Sequence, residues 1–279
     1  MNRQIYTLAK DFLIIIFIIF VLSSNSMALE LKNFISVKVN GNFITMDSLP
    51  YVKNDRLLIS VRFISEALNA KVNWIKAEGK VEIIKDEKII ELFPDSNLVK
   101  LNGKDVSLDV KCEISNNRTM VPVRFIAESL NCSIIWDKQT LSLLVYSDNT
   151  EIKPDFIKKR SYSDDDIIWL SRIIYVEAKD LSSDGKLGVA NVVLNRTKSD
   201  DFPNTVYDVI FDKTWCIQFP PAFKPGFKEL IPTGECIVIA KMALEGINNI
   251  DNCLYFNDVP FKSKQKDFYK KIDKQYFYY

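Results

Sequence analysis

The sequence predicts an α+β protein: two small α+β repeat modules followed by a mainly helical domain with a small sheet. Three observations predict it. Residues 30–147 read as two copies of one pattern at an offset of 62 residues. Each copy sets alternating apolar and polar residues on either side of one short stretch with helical spacing. From residue 163 onward the apolar positions fall at helical spacing over a longer run. With 279 residues, 47% hydrophobic and 26% charged, the chain has enough apolar surface for a core in each part.

The chain opens with Arg3 and Lys10 around the start of an uninterrupted run of eleven apolar residues, Phe12 to Leu22, followed by Ser23-Ser24-Asn25-Ser26-Met27-Ala28. A basic start, a short apolar run and small residues describe a secretion leader over residues 1–28. Eleven helical residues reach roughly 16 Å, about half of a bilayer's hydrocarbon core, which disfavours a permanent anchor. The expected product is secreted, with no stable membrane span after processing.

In the repeat, Val37-Lys38-Val39-Asn40-Gly41 is answered by Val99-Lys100-Leu101-Asn102-Gly103. At the same offset Asn54–Trp74 aligns with Asn116–Trp136, with ten identical positions out of twenty-one. Asn-Gly between alternating residues suits a two-residue hairpin turn. Val61, Ile64 and Leu68 recur at helical spacing, and Asn69 can end that helix in a left-handed conformation. Trp74 and Val81-Glu82-Ile83-Ile84 return as strands. The segment Val121–Trp136 resembles the copper amine oxidase N-terminal-like domain, whose signature reads VPVRFIAExLxxxxxW. The resemblance implies a module commonly joined to secreted bacterial enzymes and does not imply bound copper. Two roles remain open for this half: attachment to cell-wall polymers or a partner, and a spacer. Arg62 and Arg124 invite a ligand, although arginines at a repeated position usually pair within the fold.

Residues 148–162 are polar, interrupted by Pro154 and without periodicity, as expected of a linker. The domain over 163–279 then opens on Ser163 and Asp164-Asp165-Asp166, a hydroxyl cap with an acid three residues on and negative charge at the positive end of the helix dipole. Ile167, Leu170 and Ile174 form the inward stripe of this helix. Glu177 falls three residues after Ile174 and so lies on the same side. Partial burial raises a carboxyl pKa and keeps the group protonated nearer neutrality, the state of an acid catalyst. The ordinary alternative is an ion pair with Arg172 or Lys179, or an exposed helix end.

The chain contains no histidine. Zinc hydrolases and nucleophile systems with an imidazole base therefore lack their usual groups, leaving carboxylates as the best acid–base candidates. No metal or cofactor is expected. The net charge of +1 is not the footprint of a nucleic-acid binder. Five cysteines, an odd number without framework spacing, read mainly as small buried hydrophobes.

The run Leu170–Arg196, LSRIIYVEAKDLSSDGKLGVANVVLNR, resembles the SleB/CwlJ-type cell-wall hydrolases, which degrade spore cortex peptidoglycan. Their opening looks like LARxIYGEARGExxxGxxAVAxVVLNR, and further matches run through Phe202-Pro203-Asn204-Thr205-Val206, Gln218-Phe219, Leu254–Asn257 and Tyr276-Phe277-Tyr278. The resemblance implies a lysozyme-like domain in a secreted, wall- or spore-associated bacterial protein, acting on peptidoglycan glycan strands. It assigns the acid–base role to Glu177. The departures are Val176 for the motif's glycine, Leu181 for its second glutamate and Gln275 for a histidine near the C-terminal aromatics.

A lytic transglycosylase needs one acid–base carboxylate, because the sugar's own C6 hydroxyl attacks C1. A lysozyme-like hydrolase needs a second carboxylate about 5–9 Å away, with Asp180, Asp184, Glu229 and Glu235 as candidates. Transglycosylation is the favoured reading. An amidase and an inactive wall-binding protein are the alternatives. Gln218, Phe219, Tyr255, Asn257 and Tyr276 are the expected cleft residues, with Tyr175, Asn195 and Arg196 bracing the site. The lysines between Lys262 and Lys274 read as a solvated loop.

Overall fold

The computed structural model describes residues 34–148 and 150–279, so the leader expected at residues 1–28 lies outside the described residues. Among the described residues no helix is long and apolar enough to cross a membrane. The first copy of the repeat runs β1 (Ser36–Val39), β2 (Asn42–Phe43), β3 (Tyr51–Lys53), β4 (Arg56–Ser60), α1 (Val61–Ala67), β5 (Lys71–Ile75), β6 (Lys80–Lys85) and β7 (Lys88–Leu92). The second runs β8 (Leu98–Leu101), β9 (Lys104–Ser107), β10 (Glu113–Ser115), β11 (Arg118–Pro122), α2 (Val123–Ser129), β12 (Ser133–Asp137) and β13 (Ser142–Tyr146).

The turns follow from the sequence. Asn40-Gly41 and Asn102-Gly103 both take two consecutive positive φ values, 47° and 81° in the first and 51° and 77° in the second, as a two-residue hairpin requires. Asn69 and Asn131, at φ 62° and 60°, end their helices in the left-handed region.

The sheets, however, do not respect the copies. One four-stranded sheet, in the order β12-β13-β1-β2, sets the opening strand of copy one parallel to the closing strand of copy two. A second, β10-β11-β4-β3, joins the middle hairpins of both. The third is the five-stranded meander β5-β6-β7-β8-β9, which crosses from one copy into the next. One main core results, in which Val37, Ile64 and Ile83 pack in one cluster with Val99, Ile126 and Val145, beside a small second cluster of Leu58, Val110 and Met120. Short strands around one seven-residue helix leave too much apolar surface open for a 60-residue unit to close alone, and sharing strands covers it.

The second half contains α3 (Asp164–Ala178), α4 (Ser183–Arg196), α5 (Val206–Ile210), α6 (Gly234–Leu244) and a three-stranded antiparallel sheet of β14 (Tyr255–Asn257), β15 (Phe268–Ile272) and β16 (Gln275–Tyr278) in the order β14-β16-β15. The cap of α3 is the expected one: Ser163 Oγ accepts from the Asp166 N–H, and the Asp166 carboxylate accepts from the Ser163 N–H. Ile167, Leu170 and Ile174 are fully buried. Helix α4 passes so close to β16 that a Cβ on Gly188 would meet the Phe277 ring at 2.6 Å.

The expected linker is corrected by the structure. Residues 150–162 strap the two halves together. Ile152 is buried in the first core, with Phe156 and Ile157 packed against it. The Thr45 N–H donates to Phe156 O, and the Lys158 N–H to Phe43 O. Polarity without periodicity described the strap's exposed residues and hid three apolar anchors. The halves also meet directly. Lys241 on α6 donates to Phe34 O, Ser36 Oγ and Leu141 O at 2.9–3.1 Å. Lys38 pairs with Asp164, and Arg160 is sandwiched between the Phe43 and Tyr162 rings, 3.8 Å from each centroid.

Candidate active site

Glu177 occupies the last turn of α3, half-buried. Burial raises its carboxyl pKa, and the nearby Lys224 ammonium partly opposes the shift. The ion-pair alternatives are taken up elsewhere. Arg172 donates through Nε to Leu230 O and lies over the Trp169 ring, while Lys179 lies over Tyr175. The helix thus delivers a carboxyl group to the surface of the second core, and among the described residues no cation forms an ion pair with it.

Lys224 also lines an open groove of about 650 Å³ with Tyr207, Phe211, Lys213, Phe223 and Lys228. Sequence reasoning missed this groove. Tyr207 on α5 and Phe211, the residue that caps it four positions on, pack ring to ring at 4.6 Å and carried a readable helical signal. The lysines did not, since they are scattered without a period. Glu229 shares the groove and acts on Arg172.

The expected cleft residues divide. Phe219 is 1% exposed, tilted against Phe256 within the second core. A ring with no free face cannot stack on a sugar, so its assignment to the cleft is corrected. Gln218 is half-buried and donates to Cys216 Sγ. Tyr255 is half-buried, with Lys264 4.0 Å above its ring and Phe202 at its edge. Asn257 and Tyr276 are cross-strand partners, and Asn257 also donates to Val259 O across the turn. Tyr175 packs on the second core. Asn195 donates to Asp251 O and Cys253 O, and Arg196 Nε to Leu254 O. Together they clamp the end of α4 to the segment that enters β14. Arg196 also covers Phe202, Phe219 and Tyr255. A single turn links these residues to the acid: Phe219 begins it, residues 220–223 form it, and Lys224 ends it.

Of the four candidate second carboxylates, Glu235 is engaged by Ser183 Oγ and Lys186 Nζ. Asp180 and Asp184 are exposed, and Glu229 alone lines the groove. Leu181, in place of the motif's second glutamate, is 6% exposed in the core. Gln275 is buried at the start of β16, its Oε1 without a partner among the described residues.

Comparison with known proteins matches both halves. Residues 181–278 match the family Cell Wall Hydrolase. The C-terminal half carries a cell-wall hydrolase domain. Residues 38–145 match the Copper amine oxidase N-terminal domain family. A spore cortex-lytic enzyme of Bacillus cereus is 35% identical over 98 residues, 34% of this chain and 35% of that protein. The match thus spans about a third of the curated relative. Among solved structures, the catalytic domain of the germination-specific lytic transglycosylase SleB from Bacillus anthracis is 29% identical, covering 44% of this chain and all of that one, with a TM-score of 0.39. The catalytic domain of Bacillus cereus SleB is 30% identical over 43% of this chain and 94% of that one, with a TM-score of 0.38. Glu177 lies just ahead of the 181–278 segment.

Proposed function

We propose that this protein cleaves the glycan backbone of peptidoglycan, acting as a lytic transglycosylase with Glu177 as its single acid–base group. The observation that carries the reading is the Glu177 carboxyl itself: half-buried, raised in pKa, without an ion-pair partner among the described residues, and within the influence of a groove lysine. In the proposed reaction Glu177 donates its proton to the glycosidic oxygen as the bond to C1 breaks. The resulting carboxylate then takes the proton of the C6 hydroxyl as that oxygen bonds to C1, giving a 1,6-anhydro end and restoring the acid. No water is consumed. Leu181 and the engaged Glu235 favour this single-acid route over one that needs a paired carboxylate.

The apolar leader supports secretion. The resemblance to cortex-lytic enzymes supports a spore cortex substrate, in a protein that is wall- or spore-associated. The absence of histidine weighs against an amidase. The inactive wall-binding alternative rests on Leu181 and Gln275.

Mass spectrometry of purified cortex and vegetative peptidoglycan, digested with the wild-type protein and with Glu177→Gln, tests all of these points. Anhydro-muramic ends from the wild type alone are expected. Reducing muramic ends would sink transglycosylation and turn attention to Glu229 as a second acid. Equal turbidity loss from both proteins would remove Glu177 from the mechanism.

A further inference from the structure

The groove beside the candidate acid carries more charge than the proposed reaction uses. Lys213, Lys224 and Lys228 line it together with the rings of Tyr207, Phe211 and Phe223, and Glu229 is the one acid in its lining. Helix α5 supplies Tyr207, the loop after it supplies Lys213, and the segment that begins with the turn at residues 220–223 supplies the rest. That segment is packed on α3. Phe223 and Phe227 share the second core with Tyr175 and Val176, the two residues ahead of Glu177, and Phe227 stacks on Trp169 with ring centroids 6.3 Å apart. Lys224, which ends the turn, is close enough for its charge to act on the Glu177 carboxyl.

The three ammonium groups are available. Elsewhere in this half Lys186 and Lys264 each hold a carboxylate, at 3.0 and 3.4 Å. Among the described residues Lys213, Lys224 and Lys228 form no ion pair and no side-chain hydrogen bond, and all three are exposed. Lys213 and Lys228 instead lie over the Phe223 and Phe211 rings, 4.8 and 5.5 Å from the centroids. A ring face steadies an ammonium group without neutralising it. Glu229 offsets one of the three charges, and its carboxylate also acts on Arg172, so the lining keeps a positive excess. A concave surface with an excess of one sign raises the local concentration of the other. At about 650 Å³ the groove is also within the size range of ligand sites.

We infer that this groove holds the peptide stem of the muramic acid at the scissile bond, its lysines pairing with the stem's carboxylates and its rings packing against the stem's short aliphatic side chains. The inference rests on the proposed cleavage at Glu177. The glycan backbone is itself uncharged, because its amino groups are acetylated and the lactyl carboxyl of muramic acid is taken up in the amide to the stem. The negative charge nearest the bond to be cut therefore belongs to the stem, which leaves the same sugar whose C1 is attacked. Lys224 is the shared element, lining the groove and acting on the acid. Exposed charge pairs are individually weak, so the three lysines act together and favour strands that carry charged stems.

The test compares soluble, uncross-linked glycan strands bearing intact stems with the same strands after their stem carboxylates are converted to methylamides, which keeps the stem and removes its charge. The full chain and its Lys213→Ala, Lys228→Ala double variant are assayed on both, with thermal melting as the folding control. Melting should not change, since both side chains are exposed. The wild type is expected to show a KM about tenfold higher on methylamide strands at similar kcat, the size of two or three exposed charge pairs. The double variant is expected to show that raised KM already on native strands, with weaker salt dependence and no further rise on methylamide strands. Equal KM for the two strands with the wild type, or a double variant that loses as much on methylamide strands as on native ones, overturns the inference. Binding of end-labelled strands to Glu177→Gln, read by fluorescence anisotropy, separates the two claims. Tighter binding of native than of methylamide strands, with no cleavage of either by the wild type, sinks the proposed function and leaves the stem groove standing. Cleavage of both at equal KM does the reverse.

Discussion

Among the described residues of the first half, thirteen strands and two seven-residue helices are arranged by repetition. In the second, three longer helices and a small sheet are arranged by single residues that occur once. The difference has consequences for function. Repetition duplicates whatever the surface offers, so a hollow beside Trp74 reappears beside Trp136. A unique helix end can carry a group whose setting is matched nowhere else, as Glu177 does. Unique positions suit chemistry at one bond.

The strongest way to separate the halves is Glu177→Gln. Loss of a general acid is expected to lower kcat on peptidoglycan by about 10²–10⁴-fold while leaving the first half folded. Rate measurement and far-UV circular dichroism on the same preparation read both arms. The wild-type rate is expected to fall as pH rises through the raised Glu177 pKa, since only the protonated acid donates. Stability follows the same sign. The folded chain holds this proton more tightly than the unfolded chain, so the associated stability is present in acid and is lost as pH rises through the folded pKa. Glu177→Gln lacks that loss, and its melting temperature relative to wild type should improve from acid to neutral pH.

Next in size are two substitutions that test how the second half is held. Gly188→Ala puts a methyl group 2.6 Å from the Phe277 ring and should cost about 1–3 kcal/mol by overpacking, read as a lower denaturation midpoint. Lys241→Met removes the donor shared by Phe34 O, Ser36 Oγ and Leu141 O. Leaving such buried acceptors unpaired costs about 1–3 kcal/mol, offset in part by relief from burying an amine whose pKa burial has lowered to about 7. The wild type should lose stability as pH falls from the ordinary lysine range toward that value, and Lys241→Met should flatten the slope. Proteolysis within the 150–162 strap should speed up at the same time.

The legible features were those set by short-range chemistry. The Asn-Gly turns, the helix stop at Asn69, the capping box at Ser163 and the buried stripe leading to Glu177 each depend on a few neighbouring residues. The strand exchange between copies was not legible, because a 62-residue repeat is equally compatible with two closed modules and with one intertwined core. The strap was hidden because Ile152, Phe156 and Ile157 pack through tertiary contacts within an otherwise polar stretch. At the candidate site periodicity put Glu177 on the inward side of its helix, while its acid–base role came from the resemblance alone. Phe219 was misread because one aromatic residue in a sequence does not reveal whether its face is free, and Lys224 belongs to a turn with no period to announce it.

The smallest expected effect compares one residue type at the same place in two helices. Ser163 caps α3 through Oγ, and Ser163→Ala should cost about 1 kcal/mol, seen as a lower melting temperature with unchanged kcat, since Glu177 sits at the other end of the helix. Ser60 precedes α1 in the corresponding position but makes no side-chain cap bond, and its hydroxyl is buried without a partner. Removing an unsatisfied buried hydroxyl relieves a desolvation cost, so Ser60→Ala should be neutral or slightly stabilising. Pro122 stands at the equivalent place in the second copy, so the repeat enters both helices without a side-chain cap. Equal losses from Ser60→Ala and Ser163→Ala would mean that helix ends in the two halves are held alike. Unequal losses would locate the stability of the first half in its shared strands and that of the second in its helix ends.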